Sequence, residues 1–223
     1  MSSSRDTTKS RILDAAEDLF GGQGFAATSV RAVTAAADAN VAAVRYHFGS
    51  KEGLLRAVAD RAMSQVNQTR LDLLKELAGA GRDSDVASLV RAFVVPSTEL
   101  ARQHGERGPL VARFIGRVMF EPDGTIRRLF AEQVDPVEGR YLAALAHALP
   151  HLPEDEVAFR YRAMVGVLAL QMTGALNDLT VRGTEPFAEQ DGVTEWLVTM
   201  ITATFLAPRT GSAPDQAVPR LPR

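Results

Sequence analysis

Most of the side chains that could do recognition chemistry fall in one stretch, TSVRAVTAAADANVAAVRYHFGSKEGLLR, residues 28 to 56. Thr28, Arg31, Asn40, Arg45, Tyr46, His47 and Lys51 supply hydroxyl, guanidinium, carboxamide, imidazole and ammonium donors, the groups that meet phosphate oxygens and base edges. Bond-making chemistry finds little here. Ser50 and His47 are close in sequence but lack a third group to complete a nucleophilic relay. His47, His104, His147 and His151 show no metal-ligand spacing, because His147 and His151 flank a proline-containing break instead of sharing a continuous helix. There is no phosphate-binding glycine loop. These absences point to a binding protein, not an enzyme, with no cofactor and no metal.

Two short helices and a tight turn must position those donors. Thr28 can cap the first, whose apolar positions Val30 and Val33 recur at helical spacing. Asp38 stands where the chain must turn, a place suited to a residue that tolerates unusual backbone angles. Asn40 can cap the second helix, with Val41 and Val44 anchoring it while Ala42, Ala43 and Arg45 look outward. Ser50 then starts a third helix, with Glu52 and Gly53 in its first turn. Such a corner can enter a DNA major groove. There the Arg45 guanidinium can donate two hydrogen bonds to guanine O6 and N7, and Ala42 and Ala43 allow close approach to a thymine methyl. Asn40 can cap its helix or pair with adenine, but hardly both.

The remaining chain reads as helices. Ile12, Ala15, Ala16, Leu19 and Phe20 form one buried face of a helix expected over 8–21. Further helices are expected from about Ser50 through Leu77, over 84–102 with Pro96 as a kink or division, from Pro109, and over the segment carrying Ile126 to Leu149. Residues 154–179 are apolar around most of the circumference, so that helix must be covered on both sides. With a last helix over 190–206 it suggests a twofold four-helix interface between two copies of the chain; the alternative is that it forms the centre of a single chain's core. Phe93, Phe114, Met119, Phe130, Met164 and Leu168 are apolar material for a ligand pocket. Arg102, Arg113, Arg117 and Arg127 either meet an acidic headgroup at its mouth or form a solvated face.

Composition sets looser bounds. The 223 residues carry a formal net charge of −2 and no cysteine, and residues 1–60 hold seven basic and seven acidic side chains. No bulk attraction to nucleic acid exists, so a local basic face made by Arg5, Lys9, Arg11, Arg31, Arg45 and Lys51 must serve. The apolar runs are too short for a membrane span and the polar start lacks a signal-peptide core, so the expected location is cytoplasmic, with no membrane partner.

At ILDAAEDLFGGQGFAATSVRAV and NVAAVRYHFGSKEGLL the sequence resembles the TetR family of bacterial transcriptional regulators, densely over residues 8–58. The resemblance implies an all-α fold: a helix-turn-helix DNA-binding domain at 8–54, a ligand-binding and dimerisation domain at 55–207, and a disordered tail at 208–223. It makes 28–35 the supporting helix and 40–46 the recognition helix. Tyr46, His47 and Lys51 become backbone readers, assisted by amides near Ser50, while Thr28 and Arg31 grip the backbone from the supporting helix. Family members usually have glycine at the position of Asp38 and often Ser-Lys in place of Asn40-Val41, so this chain has one fewer DNA contact. A weaker likeness to the fatty-acid-responsive, PsrA-like subgroup implies a fatty acid or acyl-CoA as effector. The implied function is a homodimeric repressor, paired through 154–179 and 190–206 and released from a palindromic operator by a small, largely apolar effector. The alternative is a helical protein-protein interaction module that does not read DNA.

Overall fold

Among the residues described by the computed structural model, 3–100, 107–178 and 190–209, the chain forms ten helices and no strand. They are α1 Ser3–Gln23, α2 Val30–Ala36, α3 Val41–Phe48, α4 Lys51–Gly79, α5 Val86–Thr98, α6 Gly108–Met119, α7 Gly124–Ala148, α8 Glu154–Thr173, α9 Ala175–Asp178 and α10 Gln190–Leu206. Side-chain oxygens close many of the starts, as orphan amides require. Ser29 Oγ accepts from the Ala32 amide at 3.0 Å, Asn40 Oδ1 from Ala42 at 2.8 Å, Ser50 Oγ from Gly53 at 3.0 Å and Asp123 Oδ1 from Thr125 at 2.8 Å. Pro109 occupies the first turn of α6, where its missing N–H costs nothing. Pro96 and Pro136 lie inside α5 and α7.

Two apolar clusters fill the molecule. The first joins Ile12, Phe20, Phe25, Val33 and Val44 to Leu54, Leu55 and Val58 of α4 and to Val111, Phe114 and Val118 of α6. The second gathers Leu89, Phe93, Tyr141, Leu145, Tyr161, Leu168, Leu197 and Phe205, with Leu71, Leu74 and Leu77 of α4 packed against it. Helix α4 therefore belongs to both, and the sequence boundary at 54/55 falls within its first turn. Burying the N-terminal helices against α6 solves the marginal stability of so small a three-helix core.

Several expectations change. Ser29, not Thr28, caps α2; Thr28 is buried and its hydroxyl donates to the Gly24 carbonyl at 2.8 Å. Val41 does not anchor α3: it is 47% exposed, and Val44 alone of the pair is buried. The helix expected over 154–179 stops at Thr173, where Gly174 takes a left-handed φ of +81°. Its cover is also incomplete, since Phe159 is 69% exposed. The end of α10 is held by Arg160 of α8, which donates to the carbonyls of Thr204, Phe205, Ala207 and Pro208 at 2.7 to 3.0 Å. A buried guanidinium thus satisfies the last turn of the helix. Apart from Pro208 and Arg209, the segment expected to be a disordered tail lies outside the described residues.

Candidate functional site

The first site is the corner of α2 and α3. Asp38 makes the turn with φ +46°, a left-handed angle for a residue with a Cβ, and its carboxylate lies 3.3 Å from Arg11. Beyond the turn, Val41, Ala42, Arg45 and Tyr46 are exposed along α3, and Tyr46 at 73% exposure is the most open of the large apolar or aromatic side chains described. Ala43 is half-buried against the first cluster, so only Ala42 of the alanine pair faces outward. His47 is half-buried, edge-on to Tyr46 with ring centroids 4.9 Å apart. Arg31 is exposed on α2. Asn40 spends its Oδ1 on the cap, which leaves its amide hydrogens as the outward group.

Two expected contacts are engaged elsewhere. Thr28, buried as described, does not face the surface of the corner. Lys51 is half-buried, with its ammonium donating to the Phe25 carbonyl at 2.6 Å and lying 4.0 Å from the centre of the Phe25 ring. Burial lowers its pKa, against the opposing pull of Glu52 and Glu121. Lys51 thus braces the loop before α2, and a charge available to a phosphate is already partly spent on the protein.

Behind the corner stands a polar clamp that the sequence reading missed. Glu17 of α1 is 3% exposed and accepts from Arg61 of α4 at 3.0 Å and Arg107 at 2.9 Å. The same guanidiniums meet Asp14 at 2.8 and 3.1 Å, and Arg107 also meets Asp18 at 2.9 Å. Arg117 of α6, expected at a pocket mouth or on a solvated face, donates instead to the Gly22 carbonyl at the end of α1 at 2.7 Å. Three arginines from the larger domain therefore hold the first helix.

The second site is a cavity of about 310 Å³ between α4, α5, α6, α7 and α8. Phe93, Met119 and Leu168 are among its wall residues. Phe114 and Met164 are not. Phe114 is fully buried against Phe20, with centroids 6.4 Å apart, because its side of α6 faces α1. Met164 is buried in the second cluster. The Phe130 side chain and Arg102 lie outside the described residues, Arg113 is exposed, and Arg127 is on the cavity wall. The polar wall residues include Arg70, Ser97, Glu138 and Arg162.

Arg70 is the unforeseen member. It is 5% exposed, with its guanidinium 3.7 Å from the centre of the Phe93 ring. Its Nε donates to the Phe93 carbonyl at 3.0 Å, Nη2 to the Ser97 hydroxyl and Nη1 to Asn67 Oδ1 at 3.5 Å, while Tyr141 donates to its backbone carbonyl at 3.0 Å. Burial pulls its pKa down to about 10, opposed by Tyr161 and Tyr141. Burial likewise pushes both tyrosines upward. The sequence carried a signal: Val66, Arg70 and Leu74 share one face at four-residue spacing, which sets a lone cation in an apolar stripe.

A short capped helix bearing an arginine and a tyrosine on its open face, joined to α2 by a tight turn and set on a larger helical body, has the architecture of a helix-turn-helix. Residues 91–204 match the model for the tetracyclin repressor-like C-terminal domain and residues 12–58 the model for bacterial regulatory proteins of the tetR family; the chain belongs to the TetR family. It is 28% identical over 125 residues to the HTH-type transcriptional regulator YttP of Bacillus subtilis, covering 56% of each chain. With the HTH-type regulatory protein RaaS of Mycobacterium tuberculosis it shares 39% over 69 residues, covering 31% of this chain and 32% of RaaS. The chain thus spans between a third and just over half of the length of these relatives. Among solved structures, FadR of Bacillus subtilis, in complex with stearoyl-CoA, matches with TM-score 0.62 at 15% identity, over 87% of this chain and 98% of that one. PfmR of Thermus thermophilus matches with TM-score 0.58 at 19% identity, over 90% and 97%. These structures share the fold. The family is one of bacterial regulatory proteins. No helix among the described residues is long and apolar enough to cross a membrane.

Proposed function

We propose that the chain is a homodimeric repressor, released from a palindromic operator by a small, largely apolar effector that enters the cavity. The observation that carries the DNA reading is the open face of α3, where Ala42, Arg45 and Tyr46 stand outward on a helix anchored from behind by Val44. Arg45 reads guanine through O6 and N7, Ala42 lies against a thymine methyl, and Arg31, Tyr46 and His47 donate to phosphates. The Asn40 amide is a further donor at the start of α3. Lys51 serves the phosphate backbone with whatever donors its bond to Phe25 leaves, and Thr28 acts from inside, by holding the loop.

Dimerisation through α8 and α10 is supported by apolar side chains left open on both helices: Phe159 at 69%, Leu170 at 38%, Trp196 at 61%, Met200 at 49% and Leu206 at 58%. Apolar surface of that kind is usually covered by a partner. Two copies would set two α3 helices at half-sites about 34–36 Å apart or a multiple of it. The apolar lining by Phe93, Met119 and Leu168 suits the acyl class, a fatty acid or an acyl-CoA, that the sequence suggested. Footprinting of the purified chain on fragments upstream of its own and neighbouring genes, at stated salt and with or without acyl compounds, tests this reading. A salt-sensitive palindromic footprint lifted by an acyl compound supports it; absence of any specific footprint refutes it.

A further inference from the structure

An arginine buried in an apolar wall normally has a carboxylate partner, because a desolvated cation is costly and neutral acceptors do not cancel its charge. Arg70 has none within ion-pair distance among the described residues. Its three partners are a carbonyl, a carboxamide and a hydroxyl, and its remaining contact is an aromatic face. Of five guanidinium N–H donors three are engaged, which leaves two on the Nη atoms. Arg70 also lines the cavity.

We propose that the cavity takes a compact, mainly apolar organic acid whose carboxylate pairs with the Arg70 guanidinium. This deepens the effector reading above and rests on it. A carboxylate is the planar acceptor that a guanidinium fork matches with two parallel bonds. The remaining charges on the wall do not replace it. Glu138 is half-buried on the same cavity but forms no ion pair with Arg70, and Arg127 and Arg162 are exposed, so cations outnumber the carboxylate. Arg127 already donates to the carbonyls of Glu121 and Pro122 at 2.6 and 3.0 Å.

Size and depth both favour a free acid over a thioester. The volume of about 310 Å³ is at the small end of ligand sites, which run from about 300 to 1,000 Å³. An acyl-CoA entering tail first would set methylene groups against the uncompensated Arg70 charge and leave its own anionic groups outside. A free acid entering headgroup first places charge on charge and carbon on Phe93, Ile115 and Leu168.

The experiment is calorimetric titration of the full chain with octanoate and phenylbutyrate, against the uncharged octanamide and phenylbutyramide and against octanoyl-CoA. The acids should bind at least about tenfold more tightly than their amides, the range expected for a hydrogen-bonded charge. Arg70→Met should abolish the difference between acid and amide, and Arg70→Lys should retain part of it. If Arg70→Met does not fold, the comparison on the unaltered protein still decides. Equal binding of acid and amide, tighter binding of octanoyl-CoA, or no binding of either acid overturns the proposal. A parallel operator-release assay separates the two claims: amides that bind equally and still release DNA leave the cavity as effector site while removing Arg70 from recognition. Bound acids that never alter DNA binding refute the effector reading and leave the Arg70 pairing standing.

Discussion

Arg45 has the clearest individual role, because it is exposed on a helix whose neighbouring positions are small or aromatic. Arg45→Ala is expected to cost about 1–3 kcal/mol on the cognate half-site and to relax preference at that base pair; equal weakening on every sequence, measured by competition binding, would assign it to the backbone instead. Lys51 differs. It bonds the Phe25 carbonyl, so its loss should lower folding stability together with DNA affinity, and salt dependence alone will not isolate a phosphate contact. Asp38 presents a backbone question. A left-handed residue with a Cβ is strained by about 1–2 kcal/mol, less for Asp, whereas glycine removes the strain and adds unfolded-state freedom. Asp38→Gly should therefore leave the free energy of unfolding within about 1 kcal/mol of the original, while Asp38→Val should lower it by about 1–2 kcal/mol. Urea melts of both variants check this, and a harmless valine would mean that the turn can relax. The ion pair with Arg11 contributes little to the comparison, since the Asp38 side chain is 99% exposed.

Among whole elements, most of the helices were legible because apolar stripes and breakers mark them twice over. Helix α10 runs over 190–206 as its pattern predicted, and the proline at 109 and the serine at 50 mark the starts of α6 and α4. What periodicity cannot convey is which neighbour a stripe meets. Phe114 and Phe93 read alike in sequence, yet α6 turns Phe114 toward α1 while α5 presents Phe93 to the cavity. Val41 likewise belongs by spacing to the anchoring face of α3, but as the exposed first residue of that short helix it precedes the contact, which is made by Ala43, Val44 and Phe48. Polar partners across long separations, such as Arg107 with Asp14, Glu17 and Asp18, leave no local pattern at all. Helix α5 offers a test of a cap. Asp85 is its N-cap, and hydrogen bonds from the Ser88 hydroxyl and then Arg82 lower its pKa to about 2. A depressed carboxylate adds stability that is complete above its unfolded value of about 3.9 and is lost as pH falls through the folded value. The stability difference between the chain and Asp85→Asn should therefore be constant above about pH 5 and shrink from about pH 4 toward 2, as followed by urea midpoints at each pH. A pH-independent difference would show that the charge adds nothing to the cap.

At the scale of the molecule, the cavity and the DNA-reading corner share structure. Met63 and Ile115 line the cavity and also belong to the cluster that buries Ile12, Phe20 and Val44. A ligand that displaces α4 or α6 must therefore disturb the packing of α1, and three arginines make that link polar as well as apolar. The strongest of these connections is Arg107, whose guanidinium meets three carboxylates of α1, Asp14, Glu17 and Asp18, and the Asp14 carbonyl. Because Asp14 and the almost fully buried Glu17 keep Arg61 as a second partner, Arg107→Gln leaves only Asp18, which is 47% exposed, without its ion pair. The variant should therefore fold and still read its operator. Its effector response should shrink, since a coupling between sites of about 1–3 kcal/mol corresponds to about 5–150-fold in affinity and is carried by elements that move together. The quantity to measure is the ratio of operator Kd with and without a saturating effector, for the chain and for Arg107→Gln, with folding checked by thermal melting. A reduced ratio with unchanged effector binding locates the coupling in the clamp. An unchanged ratio assigns it to the apolar contacts of Met63 and Ile115, where Ile115→Val becomes the variant that should lower it.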